Sequence, residues 1–79
     1  MIEDVCPEMA RLWIRDTHQR RIDLLKCRRI LNDIEAGTWD PIGTTGPVIV
    51  RDNKCLDGHH RLLAVLMYGE PIQIAVQYR

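Results

Sequence analysis

The sequence is poor in aromatic residues: it contains no phenylalanine, two tryptophans and two tyrosines among its 79 residues. Proteins that hold single-stranded nucleic acid stack successive bases on aromatic side chains. Because so few aromatic rings are present, the sequence argues against a base-stacking surface.

The sequence also lacks an excess of charge of either sign, since 11 lysine and arginine residues balance 11 aspartate and glutamate residues. The overall electrostatic field therefore neither draws the protein to nucleic acid nor repels it. Any contact with a polyanion must come from a local group of basic residues.

Paired cysteines and long apolar runs are missing as well. Cys6, Cys27 and Cys55 are odd in number and widely spaced, with no Cys-x-x-Cys pair. This pattern argues against a disulfide framework or a zinc knuckle and predicts a reducing compartment. No apolar stretch approaches the ~20 residues needed to cross a bilayer, and the first residues do not follow a signal-peptide pattern. We therefore expect a cytoplasmic protein without a membrane anchor.

What is present suits one small folded domain over residues 1–79. Apolar residues make up 46% of the chain and charged residues 28%, so neither wholesale disorder nor a membrane-spanning class fits. A chain of this length supports a single core, so we do not expect a multidomain enzyme.

Three helices are predicted from the spacing of apolar residues and from helix-ending signals. The first begins near Pro7, whose fixed φ suits the first helical position. The second spans about residues 21–36 and is closed by Gly37. The third spans about residues 58–68, is apolar nearly all round, and is expected to be the central buried helix. The expected inward stripe of the second helix is Leu24, Cys27, Ile30, Leu31 and Ile34.

Three strands complete the predicted fold. Short strands are predicted at residues 48–50 and 54–56, joined by a tight turn at Asp52 and Asn53, which both tolerate positive φ. Alternating apolar and polar residues from 72 to 78 predict a final, half-buried strand. The predicted order is α-α-β-β-α-β, an α+β fold with three helices and a small mixed sheet.

The segment Asp57-Gly58-His59-His60-Arg61 lies where a predicted strand turns into the buried helix. Amide groups of a first helical turn and the positive end of the helix dipole favour phosphate. Gly58 lets a ligand approach the backbone closely, and Arg61 can add a bidentate contact. Asp57 fits such a site only if it caps the helix, holds a metal ion or acts as a base, because its carboxylate otherwise repels phosphate.

This corner resembles the superfamily of ParB N-terminal domains and sulfiredoxins, and in particular the small ParB-like proteins common in phage genomes. Three weaker segments precede it in the order that those proteins show, and together the segments cover nearly the whole chain. The matching segments are Cys6-Pro7-Glu8-Met9-Ala10, Gln19-Arg20, Ala36-Gly37-Thr38-Trp39 and Asp57-Gly58-His59-His60-Arg61-Leu62.

The resemblance implies a nucleotide-phosphate site formed by Gly58, His59, His60 and Arg61, with Arg20 reaching the phosphates from the opposite side. ParB-type members bind CTP and sulfiredoxins bind ATP, so the implied ligand is CTP or ATP with magnesium. His59 stands where sulfiredoxins have their cysteine, so reduction of sulfinic acid is not expected. The chain also has no room for the helix-turn-helix and dimerisation domains of a complete partition protein.

Two other classes of function stay open. A metal-dependent nuclease or a phosphotransferase would use Asp57 and His60 as catalytic residues with magnesium; a free serine kinase of the same superfamily carries the same five-residue motif. A non-catalytic module would instead bind DNA, a host protein or a second copy of the chain. Its candidate contacts to the DNA backbone are Arg20, Arg21, Lys26, Arg28 and Arg29, and its candidate apolar contacts are Ile22 and Leu25.

Overall fold

The computed structural model describes residues 1–15, 23–42 and 46–79. The elements in chain order are β1 (Ile2–Val5), α1 (Pro7–Arg15), α2 (Leu24–Ala36), β2 (Val48–Arg51), β3 (Lys54–Asp57), α3 (His59–Tyr68) and β4 (Ile72–Tyr78). The predicted α+β class with a small mixed sheet is therefore confirmed, and each predicted helix and strand is present within a few residues of its expected bounds. No helix in the described part of the chain is long and apolar enough to cross a membrane.

The sheet has four strands in the order β1-β4-β2-β3. β4 pairs antiparallel with β1 and parallel with β2, while β2 and β3 form an antiparallel hairpin. The hairpin turn is as predicted: Asp52 and Asn53 have φ values of 51° and 61°. Two consecutive residues with positive φ are typical of the type I′ turn, whose twist matches that of the flanking strands.

β1 is a strand that the sequence analysis did not predict. The segment Ile2-Glu3-Asp4-Val5 places its apolar residues three positions apart, so it does not alternate as a half-buried strand does. β1 is defined by backbone pairing with β4, where Ile2 lies opposite Ala75 and Val5 lies opposite Ile72. A pairing partner about 70 positions away leaves no signal in the local sequence, which explains the missed strand.

The core lies between the helices and one face of the sheet. Alternate residues of β2 and β4 are buried, whereas Gln73 and Gln77 are exposed on the other face. α3 packs against both α1 and α2 and contributes the fully buried Leu62 and Val65, so it is the central helix, as predicted. Trp13 of α1 completes the core and meets the ring of Tyr78 edge-on at 6.1 Å between centroids.

The predicted inward stripe of α2 is wrong at its first residue. Cys27 is buried and Ile30, Leu31 and Ile34 are half-buried, but Leu24 is 69% exposed. Leu24 is the first residue of the helix, almost a full turn before Cys27, and it lies at the end of the packed stripe. Leu25 is exposed, and Ile22 lies outside the described residues.

Candidate functional site

Gly58 joins β3 to α3 in a conformation that favours glycine. Its φ is 105°, in the left-handed region. A Cβ atom at this position would lie 2.8 Å from Cγ2 of Val48 and 3.1 Å from Nη2 of Arg61. Both the backbone angle and the close packing therefore require a residue without a side chain.

The interpretation of Asp57 as the cap of α3 is wrong. The N-cap residue is Gly58, and no side chain caps it. The first backbone bonds of the helix run from the amides of Arg61 and Leu62 to the carbonyl oxygen of Gly58, at 3.1 and 3.2 Å. Asp57 is instead the last residue of β3, paired with Ile49, and it is exposed. The strand continues one residue further than predicted, which takes Asp57 out of the cap position.

Arg61 is the one charged residue buried in the described part of the chain, with 8% of its surface exposed. Its Nη1 donates to the carbonyl oxygen of Gly46, and its Nη2 donates to that of Pro47 at 3.4 Å. Among the described residues, no carboxylate lies within ion-pair distance of its guanidinium. Burial lowers the pKa of Arg61, and the charge of Asp57 acts in the opposite direction. The side chain of Arg61 thus joins Gly46 and Pro47, which precede β2, to α3. Its positive charge has no direct anionic partner among the described residues.

The two histidines of the motif have different environments. The backbone N–H of Asp23 donates to Nε2 of His60 at 3.1 Å, so this nitrogen is an acceptor and the ring proton is assigned to Nδ1. Burial is the main cause that lowers the pKa of His59, followed by the neighbouring His60. Successive helical residues point ~100° apart. Of the two histidines, only His60 lines the pocket between α2 and α3.

A pocket of about 340 Å³ lies between α2, residues 38–42 and the start of α3; we call it the α2–α3 pocket. The corner of β3 and α3 contributes Asp57, Gly58, His60 and Arg61. Helix α2 contributes Lys26, Ile30 and Asp33. Residues 38–42 contribute Thr38, Trp39, Asp40, Pro41 and Ile42. Four of the five residues of the predicted anion-binding motif therefore lie together at one pocket, and His59 is the exception.

Lys26 is a pocket residue that the sequence analysis assigned to a DNA-binding face. Lys26, Ile30 and Asp33 are spaced by four and three positions, so they share one face of α2. Arg28 lies about 200° around the helix from Lys26, so these two basic residues do not share a face of α2. The three basic residues of α2, at 26, 28 and 29, are all exposed. Arg20 and Arg21 lie outside the described residues.

The pocket wall that residues 38–42 form is fixed to the sheet by hydrogen bonds. The indole Nε1 of Trp39 donates to the carbonyl oxygen of Gln73 at 2.8 Å, and the amide of Ala75 donates to that of Pro41 at 3.0 Å. Both bonds join the segment to β4, and Trp39 packs against the core. The bond of Trp39 to β4 thus makes this core residue a wall of the pocket as well.

The pocket carries charges of both signs. Its cations are Lys26 and Arg61, and its carboxylates are Asp33, Asp40 and Asp57. Two of the carboxylates have local partners: the Thr38 hydroxyl donates to Oδ1 of Asp33 at 3.2 Å, and the amide of Ile42 donates to Oδ1 of Asp40 at 3.0 Å. Asp57 and Arg61 lie on the same side of the pocket, at the start of α3.

Cys27 and Cys55 do not supply a nucleophile to this site. Burial raises the pKa of Cys55 to about 11, and its Sγ donates to the carbonyl oxygen of Asp57 at 3.2 Å. Burial also raises the pKa of Cys27. A buried thiol that keeps its proton is inert at neutral pH. In residues 1–15, 23–42 and 46–79, no three His, Cys, Asp or Glu side chains are grouped as metal ligands.

Comparison of the chain with models of known families, with curated proteins and with solved structures finds no match.

Proposed function

We propose that this protein binds a small molecule bearing a phosphate group, of the nucleotide class, in the α2–α3 pocket. The observation that carries the proposal is the buried guanidinium of Arg61, which lines this pocket with no carboxylate at ion-pair distance among the described residues. Withdrawing a charge from water is unfavourable unless the charge is paired. A bound phosphate would supply a direct anionic partner.

The surroundings of Arg61 support an anionic ligand at that end of the pocket. Gly58 has no side chain to cover the backbone at the start of α3, where the helix dipole is positive. Lys26 reaches the same pocket from α2 and adds a second positive charge. A buried arginine, an exposed lysine and a helix start without a side-chain cap form a phosphate site of a common physical type.

The geometry favours binding over catalysis. A general base needs a free lone pair directed at the proton that it removes, and Nε2 of His60 already accepts the Asp23 amide. The other candidate, Asp57, is an exposed carboxylate at the pocket rim. We therefore propose that the protein is a non-catalytic binding module in which neither Asp57 nor His60 acts as a base. The motif at residues 57–62 further supports a small ParB-like protein, of the type common in phage genomes and acting in the cytoplasm.

The proposal is tested by isothermal titration calorimetry with inorganic phosphate and with the four common ribonucleotides, each with and without magnesium. The informative variant is Lys26→Gln, since Lys26 is exposed and its loss leaves the core intact. We expect this variant to weaken binding by about tenfold, the effect of losing one charge-assisted contact. The matched control is Arg28→Gln, which removes the same charge from the other side of α2 and should leave binding unchanged.

Two results would contradict the proposal. One is that neither phosphate nor any nucleotide gives a heat of binding or raises the melting temperature. The other is that Lys26→Gln and Arg28→Gln weaken binding equally, because a nonspecific attraction to the net charge of α2 would then account for it. Equal weakening for DNA by both variants, with steep salt dependence, would favour the DNA-binding alternative.

A further inference from the structure

The outer face of the sheet, which is the side away from the helices, carries apolar side chains from all four strands. Ile49 and Ala75 each lie between two buried residues of their own strand, so their side chains point to the outer face. Ile2 of β1 is paired directly opposite Ala75 and shares its face. Leu56 of β3 follows the buried Cys55, where the register with β2 shifts. We call Ile2, Ile49, Leu56 and Ala75 the outer apolar group.

The outer apolar group takes no part in the core that the described residues form. Ile2 is 48% exposed and Leu56 is 54% exposed, while Ile49 and Ala75 are half-buried. Single exposed apolar residues are common on protein surfaces, but a group of them on neighbouring strands is typical of a contact surface. The grouping therefore favours a partner that covers this face of the sheet.

Charged residues lie at two opposite corners of the outer face. Asp4 is exposed on the edge strand β1 and is paired near the start of β4. Arg51 and Lys54 are exposed and paired with each other beside the β2–β3 turn, level with the end of β4. Nε of Arg51 lies 4.0 Å from the exposed carboxylate of Asp52, a surface contact that contributes little energy. One corner is therefore acidic and the diagonally opposite corner is basic.

A second copy of the chain fits this distribution of charge. In a dimer with two-fold symmetry both copies use the same surface, so the surface must be complementary to itself. A two-fold axis that lies along the outer face, between the two corners, places the acidic corner of each copy over the basic corner of the other. The same axis places the outer apolar groups of the two copies together, because each group lies between its two corners.

The outer face is large enough for such an interface. The accessible surface of the chain is 5524 Å². One side out of six of a compact body of this size offers roughly 900 Å², and each partner in a standard interface buries about 800 Å². A chain of 79 residues also has only a small core, and self-association is a common way to stabilise such chains.

From these observations we infer that the outer face of the sheet is the interface of a homodimer in which two sheets pack face to face. Asp4 of each copy lies over Arg51 and Lys54 of the other, and the outer apolar groups become buried between them. None of these residues lines the α2–α3 pocket, so the inference does not rest on the proposed function.

The first experiment measures the mass of the protein by sedimentation equilibrium at concentrations from about 1 µM to about 1 mM. We expect the mass to rise from 9.2 kDa, the value for one chain, to twice that value. Leu56→Asp places a carboxylate in the outer apolar group and should raise the dissociation constant of the dimer by about tenfold or more. The matched control is Leu25→Asp, the same change at an exposed leucine of α2, which should leave association unchanged.

An exchange of charge between the corners provides a second readout. Asp4→Lys makes both corners basic, and the double variant Arg51→Glu/Lys54→Glu makes both acidic, so each protein should dimerise more weakly than the unchanged chain. A mixture of the two variants restores opposite charges at both contacts. We expect the mixture to form a heterodimer at concentrations where each variant alone is a monomer.

Three results would overturn the inference. The first is a mass of 9.2 kDa at every concentration. The second is a dimer that Leu56→Asp and Leu25→Asp weaken equally, because its interface would then lie elsewhere. The third is that the mixed charge variants associate no better than each alone, because the acidic and basic corners would then not meet. Phosphate does not enter these measurements, so the proposed function is tested separately.

Discussion

Helices α2 and α3 begin in contrasting ways. Helix α2 begins after Asp23, which has an extended backbone with φ of −94° and whose carboxylate accepts from the amides of Leu25 and Lys26 at 3.0 and 3.3 Å. Helix α3 begins after Gly58, which has φ of 105° and no side chain to offer. The start of α2 is capped by the side chain of Asp23, and we call it the closed start. The start of α3 at Gly58 has no side-chain cap and lies beside the buried Arg61, and we call it the open start.

The start of α2 stabilises the folded protein, whereas the start of α3 lowers its stability. An aspartate N-cap satisfies amides and complements the helix dipole. A helix start that has no side-chain cap and lies beside a buried positive charge does neither, and such local costs are typical of binding sites. The two starts are also in contact, because the amide of Asp23 donates to His60 in the first turn of α3. The closed start of α2 therefore positions His60, which belongs to the first turn of α3.

The largest expected effect comes from adding a methyl group at the open start. Gly58→Ala places a Cβ in the left-handed region, at a cost of about 1–2 kcal/mol. It also forces that atom against Val48, which adds about 1–3 kcal/mol. We expect a total loss of about 3 kcal/mol in the free energy of unfolding, measured by urea denaturation.

The matched control for this change is Gly69→Ala at the end of α3. Gly69 also has a positive φ, 83°, but a Cβ there would meet nothing within 4 Å. We expect a loss of only about 1–2 kcal/mol, from the backbone angle alone. If the two variants lost the same stability, the close packing of Gly58 against Val48 would not be a feature of the folded protein.

A smaller effect is expected from opening the closed start. Asp23→Ala removes the acceptor of two amides and should lower the free energy of unfolding by about 1 kcal/mol. Asp23→Asn keeps a good N-cap and should stay within about 0.5 kcal/mol of the unchanged protein. Chemical denaturation of the three proteins tests this, and equal losses in both variants would show that the charge of Asp23, not its capping bond, is what matters.

The pH dependence of stability tests the burial of His59 next to the open start. Burial lowers its pKa in the folded protein, so the unfolded chain binds more protons in acid. The stabilising contribution of neutral His59 is complete above the unfolded pKa of about 6.5 and is lost as the pH falls through the folded pKa. We expect melting temperature to fall with decreasing pH below neutrality, less steeply in His59→Gln. Identical pH profiles for the two proteins would contradict this account.

Local signals in the sequence were enough to predict most of the fold. The alternation in β4, the Asp52-Asn53 turn and the glycine that ends each of α2 and α3 are all short-range features. β1 escaped prediction because its partner strand is distant in sequence. The cap assigned to Asp57 failed because the residue pairs with Ile49 in the sheet, and that pairing cannot be read from the neighbours of Asp57.

The candidate site was predictable only on one side. The Gly58, His60 and Arg61 corner follows from a contiguous motif, so the sequence indicated it. The wall formed by residues 38–42 depends on Trp39, whose hydrogen bond reaches Gln73, 34 positions away. The assignment of Lys26 to the pocket needed the orientation of α2, because its spacing to Ile30 and Asp33 is equally typical of a solvent-exposed helix face.

The most direct test of the account is a titration of ¹⁵N-labelled protein with inorganic phosphate and with each of the four common ribonucleotides, followed by amide NMR spectra. We expect the amide signals of residues 58–62 to move in a saturable way, while those of the β2–β3 turn at Asp52 and Asn53 stay in place. We also expect the movements to be reduced in Lys26→Gln and unchanged in Arg28→Gln. Signals at residues 58–62 that stay still at high ligand concentration would contradict the claim that the open start of α3 is a phosphate site.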